Sequence, residues 1–435
     1  MERAGGIAVS AIERVWAWEA LDSRGTPTVA CEVVLATGAR GQAIVPSGAS
    51  TGTYEAHELR DGGDRYGGRG VRTAVGNVNG PLAASVHGLD AADQEAVDAA
   101  LRAADGTPNL GTLGANAVLA VSVASALAAA EDAGEPLWRR LGDPLIPMPM
   151  VNILSGGAHA ARAVDVQDFL VVPVGAHSFA EAIEWAWRVR RATAELCAER
   201  GLVSALIADE GGLGPPLGSN REALDLLASG IERAGLEPGS QAAIAIDVAA
   251  TQFHDAGRYT LAAEERVLDA GELVSMLEGW CDAHPIVSIE DPLADDDWEG
   301  WREATVRLGS RVQLLGDDLF VTDLARLETG IGSATANSVL VKPNQTGTVS
   351  GAASVVRRCA EAGYAAVVSA RSGETEDSWM SDMAVGWGAG QIKVGSTMRS
   401  ERTAKWNRVL RIEAELGEAA RFAGRTVIGG RHVAV

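Results

Sequence analysis

Lysine is nearly absent from this chain. Of 37 basic residues only three are lysines: Lys342, Lys393 and Lys405. Cysteine is scarce as well. Cys31, Cys197, Cys281 and Cys359 are scattered and form no CxxC pair, so the sequence offers neither a zinc-site pattern nor a disulfide framework. A reducing cytoplasm is the expected compartment. Net positive charge is missing: the formal charge is −21 and the isoelectric point about 4.8. A nucleic-acid partner needs cationic surface to displace counterions and is not expected. No apolar run approaches a membrane span, and "MERAGGIAVS" lacks the charged-then-apolar pattern of a signal peptide. No membrane partner is expected.

What is present suits a large globular chain. Its 435 residues are 47% apolar, enough for two or three domains, or for one large barrel plus a further module. Residues 1–145 read as a mixed unit. "TPTVACEVVLAT" alternates like a strand and "RGQAIVPSG" follows as its hairpin partner. "GANAVLAVSVASALAAAEDAG" reads as a helix rich in small residues and closed by Gly134. Across residues 146–435 short apolar runs alternate with helical stretches. The runs are "DFLVVPV", "SALIADE", "AAIAIDV", "PIVSIED", "VQLLGDD", "SVLVKPN", "AAVVSARS" and "GQIKVGS". This alternation predicts an eight-stranded α/β barrel.

The runs end on polar groups: Glu210, Asp247, Glu290, Asp317, Lys342, Arg371 with Ser372, and Lys393. From Asp247 onward the gaps are 43, 27, 25, 29 and 22 residues, about one βα unit each, or two in the first case. These residues should therefore lie side by side on one rim, where barrel enzymes place their chemistry. Asp247, Glu290 and Asp317 have no neighbouring Cys or His pattern, and oxygen-only ligation points to Mg²⁺. Any one of them alone is about as readily a helix cap; three in succession, followed by two of only three lysines, favour a site. Arginine keeps its charge, whereas lysine can lose a proton where its surroundings lower its pKa. Lys342 is thus the candidate base beside a metal-bound substrate carboxylate, and Lys393 adds electrophilic field. Arg371 and Ser372 suit a phosphate or phosphonate, so the expected partner is a small anionic substrate. Glu210, if protonated, could assist a leaving group. Lys405, on a helix-like stretch, reads as chance survival.

These segments together resemble the enolase family over nearly the whole chain. The motifs are "LDSRGTPTV", "VPSGASTGTYEAHELRDG", "LGANAVLAVS", "GGAHA", "DEGG", "SIEDPLADDDW", "GDDL", "SGETED", "GQIK", "RSERTAKWNR" and "ARFAG". The resemblance implies an N-terminal α+β cap over residues 1–145 and, over 146–435, a modified barrel whose second strand runs antiparallel. It also implies a homodimer or larger homo-oligomer. It supports Asp247, Glu290 and Asp317 as Mg²⁺ ligands, gives Ser50 to a second Mg²⁺, and makes Lys342 similar to the family's base and Glu210 to its acid. His159 matches a loop histidine near the substrate.

The departures from the family pattern are specific. Enolase has histidine where this chain has Ala370 and glutamate where it has Asp168, both on the leaving-group side. Pro343 and the "VGSTM" loop also differ. Two such changes beside retained metal and proton machinery suggest a changed substrate. The chain on that ground resembles carboxyphosphonoenolpyruvate synthase of phosphinothricin-type pathways, with Ala370 making room for a phosphonoformyl group. The alternatives are an ordinary enolase acting on 2-phosphoglycerate and a non-catalytic enolase-like binding protein. A pure binder has no need of a titratable base.

Overall fold

The computed structural model describes residues 10–48, 52–205 and 207–429. Its N-terminal part is a three-stranded antiparallel sheet, β1 (Ile12–Leu21), β2 (Pro27–Leu35) and β3 (Arg40–Ile44), backed by helices α1 (Gln94–Asp105) and α2 (Ala115–Ala133). The sheet and α2 meet closely at Gly41. A Cβ there would stand 2.0 Å from Ala124 O and 2.3 Å from Ala128 N. Helix α2 ends at Gly134, whose φ of 66° and N–H bond to Ala130 O close it in the left-handed conformation glycine adopts freely. By length and composition α2 could cross a membrane, contrary to the sequence expectation that no run comes near. Interspersed Ala, Ser and Asn dilute the apolar run to the eye. With 83% of its apolar window buried, α2 is the core helix of the cap.

The C-terminal part is a closed barrel of β4 (Met148–Ser155), β5 (Asp168–Val172), β6 (Ala243–Asp247), β7 (Ile286–Glu290), β8 (Gln313–Gly316), β9 (Ser338–Val341), β10 (Ala365–Ser369) and β11 (Gly390–Gly395). Strand β5 pairs antiparallel with both neighbours and all other pairs are parallel. Flanking helices begin on side-chain caps that satisfy their free N–H groups. Ser178 caps α3 (Phe179–Glu199), Asp297 caps α4 (Trp298–Leu308), and Thr348 caps α5 (Val349–Ala362). The last long helix, α6 (Ser400–Leu416), follows β11.

Two expected details differ. "SALIADE" makes no barrel strand; among its described residues only Ile207 forms an isolated bridge, to Leu213. Its place is taken by "MPMVNILS", whose proline argues against a strand, although every residue of it is buried. The 43-residue gap after Asp247 holds one barrel helix, Ala270–Ala283, not two units. The surplus forms a small antiparallel sheet, His254–Asp255, Arg258–Leu261 and Arg266–Leu268.

Candidate active site

Strand periodicity aims the polar groups. Ala243 and Ala245 of β6, Leu315 of β8, Leu340 of β9 and Val367 of β10 fill the barrel interior. Two residues beyond the last of these on each strand, in the same inward register, stand Asp247, Asp317 and Lys342, with Arg371 four beyond Val367. Gln391 of β11 bonds Gln313 inside the barrel, and Lys393 follows it by two. Ala370 falls out of this register. Its methyl packs in the apolar layer outside the strands, and its N–H donates to Lys393 O.

Lys393 Nζ donates to Asp247 Oδ2 at 2.8 Å and Glu290 Oε2 at 2.7 Å. Lys342 Nζ donates to Asp317 Oδ2. The surroundings do not lower these lysines, as the sequence reading supposed. Burial alone would lower Lys393, but Asp247 and Glu290 raise it well above its ordinary value. Lys342 is raised in the same way, burial opposing and Asp317 prevailing. The carboxylates split. Burial and then Asp247 push Glu290 well up, whereas Lys342 overcomes the burial of Asp317 and holds it down. Lys393 alone does not offset the negative charge at this rim.

Ligand atoms of Asp291, Asp317 and Asp318 also lie within 4.8 Å of one another. Asp291, however, accepts the backbone N–H groups of Asp317 and Asp318, each at 2.9 Å, which makes it a cap for that turn. Burial and the adjacent Asp317 push Asp318 up to about 7.

A second group lies beside the first. Strand β5 is reversed, so its first residue, Asp168, stands opposite Asp247, the last of β6. His159 Nδ1 is 2.9 Å from Asp168 Oδ2, and its Nε2 is 3.1 Å from Ser372 Oγ. Burial would lower His159, but Asp168 and Glu210 raise it to about 9. Burial pushes Asp168 up, against the pull of His159 and hydrogen bonds from Asn152 and Ser155. The Glu210 loop needs glycine. Gly211 has φ 86°, and a Cβ there would meet Met398 O at 2.7 Å. Burial would raise Glu210, but His159, Arg402 and Lys393 hold it below its ordinary value, so it rests as a carboxylate and not as the acid expected of it.

Arg371 is engaged bidentately by Glu55 of the cap, with Nη1 to Oε2 at 2.8 Å and Nη2 to Oε1 at 3.2 Å. Beneath it Arg402 of α6 donates to Arg371 O at 2.7 Å and Ser372 O at 2.6 Å. A cavity of about 470 Å³, lined by Gly52, Glu55, Asn344 and Arg371, lies between cap and barrel here. A larger one, about 1210 Å³, sits at the opposite strand ends, near Asn337, Ala365 and Ala389, away from these groups. Ser50 lies outside the described residues.

Sequence reasoning missed Glu55, Arg402, Gln345 and Gln167. Gln345 bonds Asp317 Oδ1 at 2.9 Å, and Gln167 bonds Asp247 Oδ2 at 3.1 Å. Gln167 directly precedes Asp168, and reading the start of a reversed strand would have found it. Glu55 lies on a cap loop with no periodic signal.

Two family models cover this architecture. "Enolase, N-terminal domain" matches residues 12–141 and "Enolase, C-terminal TIM barrel domain" matches 143–430. The chain belongs to the enolase family. Among its relatives, "Enolase" of Acidothermus cellulolyticus is 52% identical over 419 residues, covering 96% of this chain and 97% of that protein. "Enolase" of Rubrobacter xylanophilus is 54% identical over 410 residues, covering 93% and 95%. The chain is accordingly an enzyme of the enolase superfamily, a Mg²⁺-dependent carbon–oxygen lyase. The synthase reading drawn from Ala370 and Asp168 is overturned. Half-identity to proteins named enolase over nearly the full length outweighs two substitutions, and Ala370 does not share the inward register of Arg371. Nothing in the structure explains why alanine stands at 370.

Proposed function

We propose that this chain is a phosphopyruvate hydratase, interconverting 2-phosphoglycerate and phosphoenolpyruvate. The observation that carries the reading is the pairing of Lys342 and Lys393 with Asp317, Asp247 and Glu290 on adjacent inward registers of an enolase-family barrel. The donor set fits Mg²⁺: it is all oxygen, buried and short of positive charge, and a lysine ammonium already lies between two of its carboxylates. Asp247, Glu290 and Asp317 would hold one ion, and Ser50 would serve a second. Mg²⁺ supplies charge stabilisation for the dianion formed when the carbon next to the substrate carboxylate loses its proton.

Lys342 would take that proton in its neutral form, which requires relief of the pull of Asp317 on its ammonium, as would follow were Asp317 a Mg²⁺ ligand. The C–H electron pair becomes the C2–C3 double bond, and hydroxide leaves C3 with a proton from Glu210 as water. An anionic substrate would offset His159, Arg402 and Lys393, the cations that keep Glu210 ionised, and so raise it toward the acid form. Lys393 steadies the developing charge. Arg371 and Ser372 hold the phosphoryl group, with His159 and Asp168 orienting Ser372. Residues 1–145 serve as the cap and 146–435 as the catalytic barrel. Exposed Trp16 and Leu21 on the cap sheet suit a homo-oligomer contact. The acidic chain and its free cysteines suit a cytoplasmic enzyme.

The test is direct. With Mg²⁺ the purified protein should form phosphoenolpyruvate, followed by ultraviolet absorbance, and chelator should abolish the signal. Lys342→Arg should stop exchange of the substrate α-proton with deuterated solvent, because guanidinium keeps its proton. Turnover unaffected by chelator, or undiminished exchange in the variant, would overturn the assignment.

A further inference from the structure

Thr322 and Gln345 carry no charge, yet both are almost fully buried beside the charged rim, at 1% and 2% exposed. Thr322 lies in the turn after β8, and Gln345 in the single helical turn Pro343–Thr346 after β9. Thr322 has φ 52°, and Val321 before it has φ 43°. A β-branched side chain rarely adopts that left-handed backbone, and such residues persist where the surrounding contacts hold them.

The hydrogen-bond directions through these two residues are forced one after another. The backbone N–H of Lys342 can only donate, so Thr322 Oγ1 accepts from it at 2.9 Å. The Thr322 hydroxyl proton then goes to Gln345 Oε1 at 2.6 Å, in preference to Leu340 O at 3.4 Å. With its oxygen engaged as acceptor, Gln345 turns Nε2 to the carboxylates. It donates to Asp317 Oδ1 at 2.9 Å, with Glu55 Oε1 at 3.4 Å. Asp317 Oδ2 accepts from Lys342 Nζ. The bonds thus leave the backbone of Lys342 and return to its ammonium, closing a ring. The main chain of Gln345 is tied too. Its N–H donates to Lys342 O at 3.0 Å, and its carbonyl accepts the N–H of Ala56 from the cap at 2.8 Å.

We propose that Thr322 and Gln345 are positioning residues, which hold Lys342 and Asp317 in their working geometry. The Thr322 hydroxyl sets the sense of the ring. Without it the amide is free to turn its oxygen toward Asp317, where acceptor would face acceptor. The roles of Lys342 and Asp317 rest on the proposed hydratase reading.

Three variants of the full chain separate hydroxyl from shape. Thr322→Val keeps the branched outline without the hydroxyl, Thr322→Ser keeps the hydroxyl, and Gln345→Met keeps the length without the amide. Mg²⁺ binding is read by calorimetry, and turnover of 2-phosphoglycerate at saturating Mg²⁺ and substrate. Thr322→Val and Gln345→Met should each weaken Mg²⁺ and lower kcat by roughly 10–100-fold, with KM for the substrate moving less. Thr322→Ser should recover both. The double variant should lose no more than the worse single one, since either change opens the same ring. Full kcat in Thr322→Val and Gln345→Met would overturn the positioning of Lys342, and unchanged Mg²⁺ binding would overturn that of Asp317. Losses in Thr322→Ser as large as in Thr322→Val would overturn the role of the hydroxyl. Independent, multiplying losses in the double variant would overturn the ring. If Thr322→Val fails to fold, Gln345→Met still decides. An unaltered protein that binds Mg²⁺ but never converts 2-phosphoglycerate would refute the hydratase reading, and calorimetry of the variants would still decide for Asp317.

Discussion

Lys405 sits at the far end of a short chain of contacts that reaches the anion-binding loop. It is only 1% exposed, and its ammonium lies 2.7 Å from Glu374 Oε2. Glu374 Oε1 in turn accepts the backbone N–H of Arg371 at 3.0 Å. Lys405→Met would leave a buried carboxylate unpaired, at a cost of about 3–5 kcal/mol. Thermal unfolding should show that loss, and KM for the phosphorylated substrate should rise more than kcat falls, because Arg371 loses its anchor. Lys405→Arg should recover most of the KM. A fall in kcat alone would show that the pair does not position the loop. His159 gives a pH prediction. Its folded value of about 9 exceeds the ordinary 6.5, so the stability it contributes is fully present below about 6.5 and is lost as pH rises through about 9. The melting temperature of the unaltered protein should exceed that of His159→Asn by a margin that shrinks across that window. A constant margin would place the imidazole outside the linkage. Sequence reading passed over Lys405 because a helical lysine is usually solvated, and nothing in "RTAKWNR" tells which face meets Glu374. Lys342, Lys393 and the three carboxylates were legible because each follows an inward-facing residue by two. The directions of the lysine pKa values were not, since they depend on distances across strands.

At the scale of elements, reversal of β5 governs what could be read. A search for polar residues at the ends of strands works for parallel strands, whose C-terminal ends share the rim. Strand β5 brings its first residue there instead. Asp168 was therefore reachable through family motifs and not through strand ends, and Gln167 beside it was overlooked. The strand β4 was missed for a different reason: two prolines lie in "PMPMV", and a fully buried strand shows no alternation. In the cap, the approach of β3 to α2 sets a sharp requirement at Gly41. Gly41→Ala places a methyl against the backbone of α2, where no side chain can swing aside. Overpacking of this kind costs about 1–3 kcal/mol or more, and a lower denaturant midpoint should report it. An unchanged midpoint would mean that β3 and α2 can part without penalty.

At the scale of the molecule, cap and barrel share one ion pair over the site among the described residues, that of Glu55 and Arg371. Tyr54 beside it donates to Asp296 Oδ1 at 2.9 Å and lies 4.0 Å from the Arg326 guanidinium. Two adjacent cap residues thus grip the barrel rim, while the fold class itself follows from the alternation of runs and helices along the sequence. Closure of the barrel is the feature with the widest reach. It is made by β11 against β4, Gln391 to Met148 through Gly395 to Val151, with almost the whole barrel sequence between them. Pairings so distant along the chain are slow to form, because their entropy must be paid before any contact rewards it. During synthesis β4 is made early and waits, its edge open to another nascent chain, until the last strand leaves the ribosome. A chain stopped at Ala389 should therefore accumulate as aggregate, and co-expressed chaperone should delay the aggregation without curing it. Recovery of that fragment as a soluble monomer would mean that the cap shields the edge on its own. Solubility in the cell thus hangs on the time that separates two strands at the ribosome.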